Sequence, residues 1–447
     1  MDDAQPVFPL DFDGQQQFVF NAVGDDDASL LQFAEDQGYD FQIPFNDYPA
    51  RTALAEAAAG GKVQALAFLL PLSDPNARDT DDATALMLAA SMDIDYADEV
   101  ERKLACLRLL APVSDLDAVD SEGWSAFHFA AAGENIEAMK LLGTETNARA
   151  VLRNGDGTAL HLATRPYSDA RERSDPACVS LLLSLGADPH ARDYSERTPF
   201  LSAATRSASS YIAALLPASD VFAVDHEQKN AIFAAAESGG VECVRFLAPL
   251  FDLDAPCGDE NKTPLMAAAT EGRVDTVAFL APISNTDARD SQGRTALMLA
   301  AMWGHPDCAR ILAPLSNAKA VDHEGQTALF HAARGPEEHG VSRREETLSF
   351  LLSISDLRHQ RNDGLSVFAV AADSALRNEG ERDSNFTPPD VLKILMPHAT
   401  DADLETVALR LLSHLSPSTA ARLESHFLKL SAEAPSAPSS ARRARSL

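Results

Sequence analysis

Five cysteines, twelve histidines and a Gly60-Gly61-Lys62 triplet are the residues of this 447-residue chain whose types could do chemistry. Clustered thiolates and imidazoles ligate zinc, a Cys or Ser beside a His is an activated nucleophile, and a Gly-rich turn ending in Lys cradles phosphate. Spacing argues against each. Cys106, Cys178, Cys243, Cys257 and Cys308 contain no C-x-x-C pair. Cys106, Cys243 and Cys308 each stand six residues before a proline, and Cys178 stands three before Leu181-Leu182; other segments place Ala65, Tyr211 or Thr276 in that register. A position that recurs in this way is a packing position. Helices pack about 8–10 Å apart, too far for the roughly 7 Å Cα limit of a disulfide, so buried free thiols and a reducing compartment are expected. His323, His331 and His339 do not form a His-Glu-x-x-His arrangement. The Gly60-Gly61-Lys62 triplet lacks the first glycine and the trailing Ser or Thr of a phosphate loop, and no G-x-S-x-G elbow occurs. Carboxylates are plentiful but fall in turns, without the opposed environments that separate an acid from a base. The reading is no catalytic residue, no cofactor and no metal.

The elements that would position these residues repeat. The phrase Ala83-Thr-Ala-Leu-Met-Leu-Ala-Ala90 recurs almost unchanged as Arg294-Thr-Ala-Leu-Met-Leu-Ala-Ala301. Variants start at Thr52, Thr84, Ser125, Thr158, Thr198, Asn230, Thr263, Thr295, Thr327 and Ser366, spaced by 32, 41, 33, 40, 32, 33, 32, 32 and 39 residues. The base period is 32–33 residues, and the longer gaps are insertions. Each unit opens on turn chemistry, as in Asp290 to Gly293. Thr295 then caps a first helix rich in Ala and Leu, and Gly304-His305 ends it. A second helix starts near Pro306, buries Ile311 and Leu312, and stops at Pro314. The same aliphatic pair returns as Phe68/Leu69, Leu109/Leu110, Leu181/Leu182, Phe246/Leu247 and Phe279/Leu280. One such unit cannot bury its apolar face alone, so neighbours bury it jointly.

Period, hairpin turn, Thr-(Ala/Pro)-Leu opening and Gly-His break together resemble the ankyrin-repeat family over about residues 17–400. Repeat four carries the family's ending, Leu185-Gly186-Ala187-Asp188. Other repeats depart from it with Pro-apolar-Ser, as in Pro71-Leu72-Ser73 and Pro282-Ile283-Ser284. The resemblance implies an all-α fold, an α-solenoid of about 10–11 helix-turn-helix units with short β-hairpin loops. It implies that His128 and His161 order their hairpins. It also implies a concave binding surface made of hairpin tips and first helices. By register this surface holds Leu299, Met302 and Trp303 in repeat eight, Phe129 and Trp124 in repeat three, and the hairpin charges Arg197, Lys229 and Arg294. The chain has two tryptophans, both at positions this register leaves exposed. Each either anchors a partner or packs against a neighbouring repeat.

At 45% hydrophobic residues the chain can bury a core, and at a net charge of −30 it repels phosphate backbones and anionic lipid. The expected partner is therefore a protein, one with a basic surface among the options, and not nucleic acid or a membrane. No signal peptide and no apolar run of about 18 residues is found, so a cytoplasmic location is expected, with export by a route that leaves no N-terminal signal as the alternative. The chain is expected to be a monomer. Residues 1–16 read as a flexible segment and 17–50 as a degenerate capping repeat. The repeats span 51–400, with insertions near 91–102, 164–176, 334–346 and 378–388 that are either functional loops or tolerated length. Residues 401–430 read as a helical cap, and 431–447, with the basic tip Arg442, Arg443 and Arg445, as a disordered tail. Too little chain lies outside the repeats for an enzyme domain. The leading function is a non-enzymatic protein-interaction scaffold or adaptor. The alternatives are a stoichiometric inhibitor or immunity-type protein of an enzyme, and a pathogen effector acting on host proteins.

Overall fold

The computed structural model describes residues 7–9, 11–45, 49–91, 97–153, 155–164, 175–334, 344–377, 394–400, 402–403 and 406–407. The chain divides into two compact units, the first ending at His226 and the second beginning at Glu227.

Both units are built from antiparallel helix pairs. In the first unit the pairs are Phe12–Gly24 with Ala28–Asp36, Ala53–Ala59 with Val63–Leu69, Ala85–Ala90 with Ala97–Leu110, Ala126–Ala132 with Ile136–Leu142, Ala159–Ala163 with Pro176–Ser184, and Pro199–Thr205 with Ser209–Leu215. In the second they are Ala231–Ser238 with Val241–Leu247, Pro264–Thr270 with Val274–Leu280, Ala296–Met302 with Pro306–Leu312, and Ala328–Arg334 with Arg344–Leu352, followed by Val367–Arg377. First helices pack on first helices and second helices on second helices within each unit.

Local chemistry explains each pair. Thr295 Oγ1 accepts the Met298 amide at 3.4 Å, and Thr52, Thr198 and Asn230 cap their helices through the same offset. The offset residue can return the bond. His128 Nδ1 accepts the Ser125 amide at 3.1 Å and His161 Nδ1 accepts the Thr158 amide at 3.2 Å; Met87 and Met266 offer Sδ to Thr84 and Thr263 instead. Gly304 turns the chain at φ +71°, and His305 then opens the second helix while its Nε2 meets the Thr270 carbonyl of the preceding repeat at 2.9 Å.

The hairpins are organised by buried or half-buried aspartates. Asp290 Oδ1 accepts the amides of Gln292 at 3.0 Å and Arg294 at 2.7 Å; Asp79, Asp120, Asp193 and Asp322 make the same pair of bonds. Gly293 sits at φ +79°, and a Cβ there would lie 2.6 Å from His323 of the next hairpin. Successive hairpins are joined by one backbone bond each. In the first unit these are Ser121 to Asp81, Arg153 to Glu122, Tyr194 to Gly155 and His226 to Ser195. In the second they are Gly258 to Gln228, Ser291 to Glu260, His323 to Gln292 and Asn362 to Glu324.

The structure corrects several expectations. Residues 12–16 belong to the first helix and Gln16 is buried, because its amide reaches the Pro44 carbonyl at 2.9 Å. Residues 97–102 are helical: Asp98, Glu99, Glu101 and Arg102 of that insertion form the start of the second helix Ala97–Leu110. Only the second member of each aliphatic pair is fully buried. Leu69, Leu110, Leu182, Leu247, Leu280 and Leu312 are core, whereas Phe68, Leu109, Leu181, Phe246, Phe279 and Ile311 keep one side in solvent. The heart of the insertions at 164–176 and 334–346, all of 378–388, most of the 401–430 segment and all of 431–447 lie outside the described residues.

All five cysteines are buried, and none forms a disulfide. Burial pushes the thiol of Cys106 up to about 11 and those of Cys178 and Cys243 up to about 12, with nearby Asp26, Glu134 and Glu242 adding to the effect in turn. The native chain is therefore expected to show no fast-reacting thiol towards a disulfide reagent at pH 8, and all five after denaturation. A thiol that reacts within seconds in the native protein would contradict this packing role.

Candidate protein-binding face

Two clusters of the register-predicted residues fall in different units. In the first unit, Trp124 is only 6% exposed. Its ring packs 5.0 Å from Phe129, in a cluster with Ala132, Leu152 and Leu162, and its amide is held by Asp120 at 2.8 Å. The following repeat supplies Leu152 and Leu162, and that is why a position exposed in an isolated unit is covered in the stack. Arg197 is likewise committed: Nε contacts the fully buried Asp193 carboxylate at 3.1 Å, and the guanidinium lies 5.8 Å from the Tyr194 ring.

In the second unit, Leu299 is 0% exposed, contrary to its predicted place on the open face. Its helix is flanked by Pro264–Thr270 on one side and Ala328–Arg334 on the other, so residues 296–301 are all buried. Solvent reaches only the end of that helix. Met302 is partly buried and Trp303, its C-terminal neighbour, is 36% exposed. Arg294 holds this end in place: Nε contacts Asp290 at 2.6 Å, Nη2 contacts Gln292 at 2.9 Å and Glu260 at 3.4 Å, and Nη1 lies 3.9 Å from Met302 Sδ.

The charges of the second unit's successive hairpins are ion-paired along the row of tips. Lys229 contacts Glu227 at 2.7 Å and Glu237 at 2.9 Å, and its ammonium lies 5.7 Å from the Phe233 ring. Burial works against that charge, but the two carboxylates more than offset it and push Lys229 up to about 12. Lys262 contacts Glu260 at 2.6 Å; this bond and the nearby Arg294 charge hold the Glu260 carboxyl below its ordinary range, against its burial. Arg361 contacts Asp363 and lies 4.0 Å from Glu324, which Arg334 also approaches at 4.0 Å. The cations chosen from the sequence are thus neutralised, and they orient apolar side chains.

Tyr194 was not singled out by register, yet it is among the most exposed aromatics described, together with Phe222. The signal was available: Tyr194 occupies the residue after the hairpin aspartate, where other hairpins carry Ser121, Ser291 or His323. Among the described residues, no group of three His, Cys, Asp or Glu could hold a metal ion, and no helix is long and apolar enough to cross a membrane.

Each unit is therefore a stack of helix pairs closed by hairpins, the architecture of a helical repeat protein. A family model described as ankyrin repeats (3 copies) matches residues 96–193, 167–257, 200–290, 251–319 and 265–363, together more than half of the chain. The chain belongs to the ankyrin-repeat family, whose repeats are generally protein–protein interaction modules and typically without enzymatic activity. No curated protein sequence matches it. Among solved structures, the ankyrin repeat domain of Bcl-3, described as a unique member of the IkappaB protein family, is similar over 47% of this chain and 95% of that chain, with 24% identity and a TM-score of 0.40.

Proposed function

We propose that this chain is a non-enzymatic scaffold or adaptor that binds a protein partner on the hairpin and first-helix face of its second unit, with Trp303 as the anchor. The observation that carries this reading is the half-open indole of Trp303 beside Met302, on a face where the neighbouring cations are already ion-paired. Trp is enriched in binding hot spots, and a large ring at a clamped helix end loses little freedom when it is covered. The carboxylates along the same row of hairpins, Glu227, Glu260 and Glu324, favour a partner with basic residues at the rim, where charge sets specificity and on-rate. The net charge of −30 speaks against nucleic acid and anionic membranes as partners. In this reading the chain works as a cytoplasmic monomer.

The test is capture of partners from the chain's own cell lysate on immobilised protein at ~50 and ~300 mM salt, conditions that separate weakly from strongly screened contacts. A single stoichiometric partner retained at both salts, and lost about thirty-fold on Trp303→Ala, is the expected result. Retention by Trp303→Ala within twofold overturns the anchor. Capture of basic proteins alone, all lost at the higher salt, overturns the dedicated face.

A further inference from the structure

The Pro-apolar-Ser endings of the second unit belong to a larger pattern on the opposite side of each repeat. Each of its four second helices carries an acid and, four residues later, a large apolar side chain; an aliphatic follows four residues further on, in the turn just past the helix end. These are Glu242-Phe246-Leu250, Asp275-Phe279-Ile283, Asp307-Ile311-Leu315 and Glu346-Phe350-Ile354. Residues four apart share one helix face, so the acids and the large apolar side chains form two parallel rows across neighbouring helices, and the aliphatics of the turns add a third row along the helix ends. None of the first unit's repeats has all three: the equivalent triplets are Gln64-Phe68-Leu72, Ala105-Leu109-Val113, Glu137-Leu141-Glu145, Ala177-Leu181-Leu185 and Ser210-Ala214-Ala218.

The outermost aliphatic row is solvated. Leu250, Ile283, Leu315 and Ile354 are between 37% and 53% exposed, and Pro249, Pro282 and Pro314 beside them are exposed as well. The turn does not require such side chains, since Ala218 stands at this position in the same Pro-apolar-Ser context. The middle row is only partly covered. Arg245 lies 4.5 Å from the Phe279 ring and Arg310 5.9 Å from the Phe350 ring. Both arginines are also engaged by the acid row, Arg245 with Glu242 at 3.5 Å and Arg310 with Asp307 at 2.9 Å and with Glu346. The face thus pairs an apolar stripe with a border in which four carboxylates, Glu242, Asp275, Asp307 and Glu346, outnumber the two arginines paired with them.

Spacing and charge define what fits. Neighbouring helices stand about 10 Å apart, and seven residues of an α-helix rise about 10.5 Å. A helix laid across the four second helices meets one apolar row element every seven residues, over a length of about 20 residues. We propose that this outer face of the second unit docks an amphipathic helix of a partner protein, carrying an aliphatic residue at every seventh position and flanked by Lys or Arg towards the acid row. This surface is separate from the hairpin face, and it stands or falls independently of Trp303.

The test uses the full chain and a labelled helical peptide of about 24 residues, with Leu at every seventh position and Lys on the flank, titrated by fluorescence anisotropy. Two control peptides replace Leu by Ser or Lys by Glu. Saturable binding of the Leu/Lys peptide is expected, weakened at least ~10-fold in either control and in the Ile283→Ser/Leu315→Ser chain, and unchanged in Trp303→Ala. Far-UV circular dichroism confirms that the doubly substituted chain remains folded, and the peptide controls read out on the wild-type chain regardless. No saturable binding, equal binding of the Ser peptide, or full binding by the substituted chain each overturns the proposal. So does concentration-dependent dimerisation of the wild-type chain that the double substitution abolishes, since a second copy would then cover this face.

Discussion

Lowering the pH from 7.5 to about 4 is expected to cost the chain roughly 3 kcal/mol of stability through His128 alone, and replacing that residue by Met should remove this part of the pH dependence. His128 is fully buried, and its Nδ1 accepts both the Ser125 amide and, in one tautomer, the Ser125 hydroxyl at 2.8 Å. Burial, partly offset by the Ala150 carbonyl, brings its pKa down from 6.5 to about 4. The folded chain thus resists a proton that the unfolded chain takes up near pH 6.5. Stability is at its plateau above that value, falls as the pH drops towards 4, and levels off below it. Met is the informative replacement because Met87 and Met266 occupy the same offset in other repeats and accept the cap amide through Sδ. Urea unfolding followed by Trp124 fluorescence, in a Trp303→Phe background, reports on the repeat that contains His128. Identical pH slopes for the wild type and His128→Met would show that the imidazole is not kept neutral by the fold.

The second large effect concerns Asp290, whose side chain is 0% exposed and anchors a guanidinium only 13% exposed. Removing one partner of such a pair leaves a buried charge uncompensated, at a cost of about 3–5 kcal/mol. Asp290→Ala also strips the Gln292 and Arg294 amides of their acceptor. Asp290→Asn, which keeps an acceptor oxygen, is expected to lose about half as much, whereas disrupting the more exposed, solvent-screened Arg361–Asp363 pair should change stability far less. Denaturant titration measures the totals, and hydrogen exchange at Gln292 and Arg294 locates the loss. A change below about 0.5 kcal/mol for Asp290→Ala, the scale of an ordinary surface substitution, would contradict the structural role assigned to this carboxylate.

Whatever depends on neighbours within a few residues was readable from the sequence. Thr295 as a cap, Gly304 as a break and the Asp290 turn are set by local hydrogen bonds and by φ, so their spacing alone revealed the fold. Exposure was not readable in the same way. Leu299 lies where an isolated helix pair is open, but the first helices before and after it close over that position. Trp124 is covered by Leu152 and Leu162, which lie 28 and 38 residues further along the chain. The surroundings of the hairpin cations were hidden for a similar reason: Arg294 pairs with Glu260 of the preceding hairpin, and Lys229 with Glu237 eight residues on in its own first helix. Trp303 kept its exposure because it caps the end of its helix, beyond the reach of both flanking helices. The helix at residues 97–102 could have been anticipated, since Glu99, Glu101, Arg102 and Lys103 are good helix formers that simply continue Leu104–Leu110.

The single backbone bond between successive hairpins, repeated along each unit, has a mechanical consequence. When tension is applied along the row of hairpins, each N–H···O link meets the load in turn, and no broad sheet of parallel bonds shares it. Within a unit, rupture at one hairpin exposes only the apolar face it shared with its neighbour, and the remaining helix pairs keep their contacts. Stretched from its ends, such a unit should extend as a spring at low force and then yield one repeat at a time, with a step set by the 32–41 residues that separate successive repeats.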